Sequence, residues 1–218
     1  MHPHTPLSVV IPCHNEAGSI RAVLQRCSQA LASHPHELIV VDDGSSDGTA
    51  TEAEAGGARV LRLPENRGKG RALHAGVEAA SGPLLLFLDG DGQDDPGDIP
   101  TLLAALDDDT QMVIGSRFLG TLHPGSIHPL NRLANEGFSA LISLLFRQRI
   151  TDSQAGFRVI RRAPYRALGI KAREYDVETD MLLRAINAGW RIREVPVSRY
   201  PRRASATDFK RVRHGLLI

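Results

Sequence analysis

A chain of 218 residues, 42% of them hydrophobic, can bury a sizeable core within one domain. Its formal net charge of +1 and 5% aromatic content give no basis for a nucleic-acid stacking surface, and no run approaches the roughly 18 apolar residues that span a bilayer. Two cysteines, Cys13 and Cys27, make no disulfide framework, and the polar lead over residues 1–6 carries no signal-peptide pattern, so a soluble or peripheral cytoplasmic protein is expected.

Residues 7–11 read as a β-branched strand stopped by Pro12, with Cys13, His14, Asn15 and Glu16 forming the turn at its carboxyl end. Ile20, Val23, Leu24, Cys27 and Leu31 recur at helical spacing, and His34-Pro35 closes that helix. Residues 38–41 make a second strand that ends in Asp42 and Asp43. A third strand over 60–63 runs through Asn66-Arg67-Gly68-Lys69-Gly70 into a helix over 72–80. Four strands alternating with helical patterns predict βαβ units and a parallel sheet. No G-x-G-x-x-G follows the first strand, and Gly68-Lys69-Gly70 lacks the spacing of a P-loop, which sets aside ordinary dehydrogenases and P-loop NTPases.

The fourth strand, Leu84-Leu85-Leu86-Phe87-Leu88, shows no alternation and should be buried on both faces. It ends in Asp89-Gly90-Asp91-Gly92-Gln93, placing two acids at a carboxyl edge, where open α/β sheets bind ligands. Carboxylates flanking one glycine can stand about 6 to 7 Å apart. At that separation they repel by roughly 3 kcal/mol at an effective dielectric near 20. A hard divalent cation bridging to an anionic substrate would relieve this, and a solvated Asp-Gly turn is the plainer alternative.

Beyond Asp94 and Asp95, read as solvated or helix-capping, a short helix over 98–106 leads to a strand over 112–115 with Ser116 and Arg117 at its tip. Leu133, Phe138, Leu141, Ile142, Leu144, Leu145 and Phe146 make an amphipathic helix whose apolar face is expected in the core, with membrane contact as the alternative. A polar loop over 151–157, a short strand, a helix over 178–188 and a strand over 192–197 complete one domain over residues 1–218. Charge is uneven: residues 89–109 hold eight aspartates and no Lys or Arg, while residues 199–214 hold six Lys/Arg against one Asp. That contrast points to a cation site mid-chain and a basic tail over 199–218.

The order of these pieces resembles family 2 glycosyltransferases of the GT-A fold, an α/β fold with a Rossmann-like, mostly parallel sheet flanked by helices. The likeness rests on Val9-Val10-Ile11-Pro12-Cys13-His14-Asn15-Glu16, on Asp42-Asp43-Gly44-Ser45-Ser46-Asp47-Gly48-Thr49, on Asn66-Arg67-Gly68-Lys69-Gly70, and on the DxD motif Asp89-Gly90-Asp91. In the second half Gly115-Ser116-Arg117, Asn131-Arg132, Asp152-Ser153-Gln154-Ala155-Gly156-Phe157-Arg158 and Arg202-Arg203 resemble the polyprenyl-phosphate mannosyl- or glucosyltransferases.

The resemblance implies an inverting, metal-dependent transfer of a hexose from a GDP- or UDP-sugar, GDP-mannose first, to a polyprenyl phosphate. Pro12, Asn15, Glu16, Asp42, Asp43, Lys69, Asp89, Gly90 and Asp91 would hold the nucleotide sugar. Asp89, Asp91 and Gln93 would hold Mg²⁺ or Mn²⁺. Arg117, Arg132, Asn135, Arg202 and Arg203 would hold the acceptor phosphate, since a guanidinium pairs two oxygens at once. Asp89, Asp91 and Arg117 form the implied catalytic set. A phosphate acceptor, with a second pKa near 6, is already ionised at pH 7 and needs no general base. The alternative is a UDP-sugar donor with a saccharide hydroxyl acceptor in cell-envelope polysaccharide synthesis, for which Asp152, Asp176 or Glu178 would be the base. A membrane-anchoring partner, or the amphipathic helix with the basic tail, would hold the protein at the cytoplasmic membrane face.

Overall fold

The computed structural model describes residues 5–170 and 177–202. The elements are β1 (Leu7–Cys13), α1 (Ile20–Ala30), β2 (His36–Asp43), α2 (Thr49–Ala55), β3 (Arg59–Leu63), α3 (Lys69–Ala79), β4 (Leu84–Phe87) and, after a 3-10 turn at Pro96–Asp98, α4 (Ile99–Ala105). Then follow β5 (Met112–Leu122), α5 (Pro129–Phe146), β6 (Arg158–Arg161), α6 (Arg162–Ala167), α7 (Val177–Asn187) and β7 (Ile192–Arg199).

Seven strands form one sheet in the order β3-β2-β1-β4-β6-β5-β7, and only β6 runs against its neighbours. The expected mostly parallel sheet is therefore present. Successive residues of β1 serve opposite faces: Val9 and Ile11 pack with α1 and α4, while Val10 packs with α3 and α7. Leu84 and Leu86 of β4 lie on the first face and Leu85 and Phe87 on the second, as an unbroken apolar run requires.

Two expectations need correction here, and one helix was not foreseen. Pro12 does not stop β1, which continues to Cys13 in register with Asp42 of β2. Val10 turns its carbonyl toward β4, accepting the Leu88 N–H at 3.3 Å, so two residues on, the missing N–H of Pro12 falls on the side where pairing with β4 has ended. Helix α2 is short and alanine-rich, without the leucine stripe that would announce it.

The second correction concerns α5. Its leucines do not enter the core; the residues it buries are Asn135, Ser139 and Ile142. The inward face is the polar one, because Asn135 Nδ2 donates to Gln154 Oε1 at 3.2 Å and Ser139 Oγ donates to Ser153 Oγ at 2.9 Å and accepts from the Ser153 N–H at 3.0 Å.

Candidate active site

The sheet reverses its order of neighbours at β1, with β2 and β3 to one side and β4 to the other, so a crevice opens above the β1 and β4 tips. Strand β6 begins at this same edge, where Arg158 pairs with Phe87, and Ile114, the third residue of β5, pairs with Arg158 as well. Side chains far apart in the chain thereby meet around Asp89, two residues past β4.

Lys69, the first residue of α3, places its Nζ 2.5 Å from Asp89 Oδ1 and 2.6 Å from Glu178 Oε1 of α7. Burial, the largest influence, would push the Asp89 carboxyl up, but the Lys69 ammonium and its hydrogen bond, together with Arg199 and Arg117, hold the group below the usual carboxylate range. Asp91 is raised, first by burial and then by the charge of Asp89, with Arg199 opposing both. Its Oδ1 accepts the Gln93 N–H at 3.0 Å. The loop over 151–157 passes directly against this group: a Cβ on Gly156 would stand 3.0 Å from Lys69 Nζ and 3.1 Å from Asp89 Oδ2. On the opposite side a Cβ on Gly90 would fall onto the Cys13 sulfur, so the central position of the DxD turn leaves room only for hydrogen.

The residues expected to hold the nucleotide gather at the tips of β1 and β2. Asp43 spends both oxygens on the loop that launches α3, accepting N–H donors from Arg67 at 2.9 Å and Gly68 at 2.8 Å. Asp42 Oδ1 accepts the Ser45 N–H at 3.0 Å. Asn15 sits at φ 58 with its Oδ1 accepting the Ser46 N–H at 2.8 Å, an unusual backbone held by its neighbours. Pro12 is half-buried behind it. Glu16 pairs with Arg202, and its carboxyl is pushed up to about 7 by burial, with Asp91 and Asp89 adding and Arg202 and the Ser19 hydroxyl opposing.

Gln93 does not offer a free oxygen to a metal: its Oε1 accepts from Arg199 Nη2 at 2.8 Å, while its Nε2 donates to the carbonyl of Tyr200 at 3.2 Å. Asp94, expected to be solvated, is buried and paired with Arg199 Nη1 at 2.7 Å. Asp95 does cap, accepting the Gly97 N–H at 2.7 Å. Arg199 is therefore the end of β7 and part of the site's wall rather than the start of a tail.

Of the residues expected to hold the acceptor, Arg117 binds Asp152 with two parallel contacts, Nε to Oδ2 at 2.6 Å and Nη2 to Oδ1 at 2.7 Å, and its backbone N–H adds a third at 3.0 Å. Arg117 and Arg132 both lie over the Phe118 ring, 5.6 and 6.0 Å from its centroid. Arg132 is otherwise a surface residue joined to Glu136 at 2.8 Å, and Asn135 is buried. Arg203 and Asp176 lie outside the described residues.

Sequence reasoning missed the supports of this loop. Arg158 is fully buried and donates to the carbonyls of Ala155, Glu178 and Ser153 at 2.6, 2.8 and 2.8 Å. Glu194 accepts from the Thr151 N–H at 2.8 Å and the Asp152 N–H at 3.0 Å. The readable signal was an arginine at the first position of the short strand Arg158-Val159-Ile160-Arg161, next to the apolar pair Val159-Ile160.

Two hard carboxylates, one of them with its pKa raised by the other's charge, suit Mg²⁺ or Mn²⁺. Among the described residues no group of three or more His, Cys, Asp or Glu could hold a metal ion, so a cation here would take its other ligands from water and substrate oxygens.

A family profile described as Glycosyl transferase family 2 matches residues 8–169. An uncharacterised glycosyltransferase of Mycobacterium tuberculosis (strain ATCC 25618 / H37Rv) is 36% identical over 213 residues, covering 97% of this chain and 93% of that protein. A dolichyl-phosphate beta-glucosyltransferase of Drosophila melanogaster is 33% identical over 220 residues, covering 89% of this chain and 67% of that one. Among solved structures, glucosyl-3-phosphoglycerate synthase from Mycobacterium tuberculosis, in complex with Mn²⁺, UDP and glucosyl-3-phosphoglycerate, matches with a TM-score of 0.72 at 25% identity, covering 94% of this chain and 75% of that one.

Proposed function

The chain belongs to glycosyl transferase family 2, and on that premise we propose that its single catalytic domain moves a hexose from a nucleotide sugar, GDP-mannose first, to a polyprenyl phosphate with inversion at the anomeric carbon. The carrying observation is that the described candidate bases are already committed. Asp152 accepts three donors from Arg117, and Glu178 accepts from Lys69. An acceptor that arrives ionised suits such a site, because its oxygen can attack without giving up a proton. The Drosophila relative, named for transfer to dolichyl phosphate, supports the same acceptor class.

Asp89 and Asp91 would hold Mg²⁺ or Mn²⁺ against the donor diphosphate. Bound there, the ion would offset charge on the departing nucleoside diphosphate, a Lewis-acid role worth several kcal/mol. Lys69 keeps Asp89 ionised for that purpose, and Asn15, Glu16 and Asp42 line the nucleotide side. Arg117 presents a guanidinium already fixed by Asp152, with Arg132 and Asn135 on the helix beside it. No described helix is long and apolar enough to cross a membrane. In this reading a lipid-borne acceptor is met at a membrane surface. The second reading, a UDP-sugar with a hydroxyl acceptor, is favoured by the UDP and Mn²⁺ in the glucosyl-3-phosphoglycerate synthase complex.

The test is transfer from GDP-mannose and from UDP-glucose, with Mn²⁺, to a short-chain prenyl phosphate and to a sugar acceptor, in the native chain and in Asp91→Ala. Turnover with the prenyl phosphate that falls by at least about a hundredfold in Asp91→Ala, with an unchanged circular dichroism spectrum, is expected. Full activity in that variant removes the metal role, and transfer to the sugar alone selects the second reading.

A further inference from the structure

Among the described residues, the outer face of α5 gathers six of the seven exposed large hydrophobic side chains. Leu130, Leu133, Leu144 and Leu145 are 67, 67, 76 and 66% exposed, with Leu141 at 50% and Phe138 at 38%. At 100° per residue these six fall within one arc of about 140°, while the opposite arc, with Asn135, Ser139 and Ile142, is turned inward. A soluble helix normally buries such an arc.

We propose that this face docks the protein onto an anionic lipid bilayer, the leucines entering the headgroup region and the surrounding arginines meeting lipid phosphates. The inference rests on the reading of a lipid-borne acceptor and names the surface that would bring the protein to it.

Two observations favour lipid over a second copy of the chain. One is size. An 18-residue helix is about 27 Å long, and a stripe about 10 Å wide along it presents roughly 300 Å², against about 800 Å² per partner in a standard interface. The other is charge. The apolar face runs at its C-terminal end into Arg147 and Arg149, both exposed, and residues 137–149 hold no acid. An anionic bilayer complements this basic end. A lipid surface also needs no shape-matched partner, since binding grows with the apolar area inserted and the charge attracted.

The same helix connects the membrane plane to the chemistry. Its inner residues Asn135 and Ser139 hold Gln154 and Ser153, in the loop whose Gly156 abuts Lys69 and Asp89. A bilayer seated on the outer face would thus present a lipid phosphate within one helix diameter of that loop, about 10 Å.

The experiment is co-sedimentation of the full chain with vesicles of phosphatidylcholine alone and of phosphatidylcholine with one third phosphatidylglycerol. The comparison variant is Leu133→Asp/Leu141→Asp/Leu144→Asp, whose sites are exposed and compatible with folding, as circular dichroism would verify. Binding to the anionic vesicles, weakened at least about tenfold by the triple substitution and by removal of phosphatidylglycerol, is expected. Transfer to a water-soluble short-chain prenyl phosphate should remain at the native level in the triple variant, so loss of docking and failure of the transferase reading give different results. Equal vesicle binding by both proteins, or none by the native chain, overturns the proposal. So does a native dimer in sedimentation velocity that the triple substitution converts to monomer without changing vesicle affinity, since α5 would then be an interface between copies.

Discussion

Replacing Lys69 by methionine would leave Asp89 and Glu178 without the ammonium that stands 2.5 Å from one and 2.6 Å from the other. Methionine keeps most of the aliphatic stem, so the cavity contribution is small and the change is mainly electrostatic. Removing one partner from a buried ion pair costs about 3–5 kcal/mol. The side chains of Lys69 and Asp89 remain 16 and 27% exposed, and solvent screening brings the expected loss to about 2–3 kcal/mol. In a chain of 218 residues, at about 2–4 °C per kcal/mol, this lowers Tm by roughly 5–10 °C. The pH dependence has a definite sign. Asp89 is held below its ordinary range, so the pair stabilises the fold above the unfolded carboxylate pKa and loses its effect as the folded group protonates. The deficit of Lys69→Met against the native chain should therefore be largest at neutral pH and should begin to close only below about pH 4, as the pH falls toward the lowered value of the folded group. Urea unfolding at pH 7, 5 and 3.5, with a chelator present, measures it. Glu178→Gln, which keeps the Lys69–Asp89 contact, should lose only about 1 kcal/mol. A Lys69→Met variant within about 0.5 kcal/mol of native at pH 7, or a deficit that grows on acidification, would refute the assigned role.

Glu16 carries the opposite sign. Its carboxyl is raised from 4.5 to about 7, so the fold loses stability as pH rises through that interval, by at most about 3 kcal/mol at 1.36 kcal/mol per pH unit. Glu16→Gln should flatten the curve of unfolding free energy against pH between about 4.5 and 7, and an unchanged slope contradicts the burial argument. Gly90→Ala drives a Cβ into the Cys13 sulfur and should cost about 1–3 kcal/mol, most of it recovered when Cys13→Ala is added to the same chain. If the double variant is no more stable than Gly90→Ala alone, the clash lies elsewhere.

What could be read in the sequence follows from how local each signal is. Strands β1, β2 and β4 announce themselves because a strand buried on both faces needs a nearly unbroken apolar run, and the acids past β4 stand out against it. Helix α5 announces itself as a helix but not its orientation: periodicity shows that one face is apolar, while the direction it faces depends on Ser153 and Gln154 accepting the polar face. Asp94 reads as solvated because its partner Arg199 is 105 positions away. The commitment of Arg117 to Asp152, 35 positions on, is invisible for the same reason. Only the order of the sheet, with β6 reversed between β4 and β5, makes these pairs neighbours.

Those distant pairings leave the crevice with a particular charge balance. Asp94 has Arg199, Asp152 has Arg117 and Glu16 has Arg202, while Asp89 and Glu178 share Lys69, so five carboxylates stand against four cations. Asp91 has no ion-pair partner among the described residues, and its carboxyl is raised by burial and by Asp89. A diphosphate approaching this wall alone would meet an uncompensated negative group. With a dication on Asp91 and Asp89 it would meet a net positive one, and at 4 Å and an effective dielectric of 20 each pair of unit charges is worth about 4 kcal/mol in either direction. The dependence of donor binding on a metal is thus a matter of sign, set by crevice carboxylates that outnumber the cations the described residues pair with them.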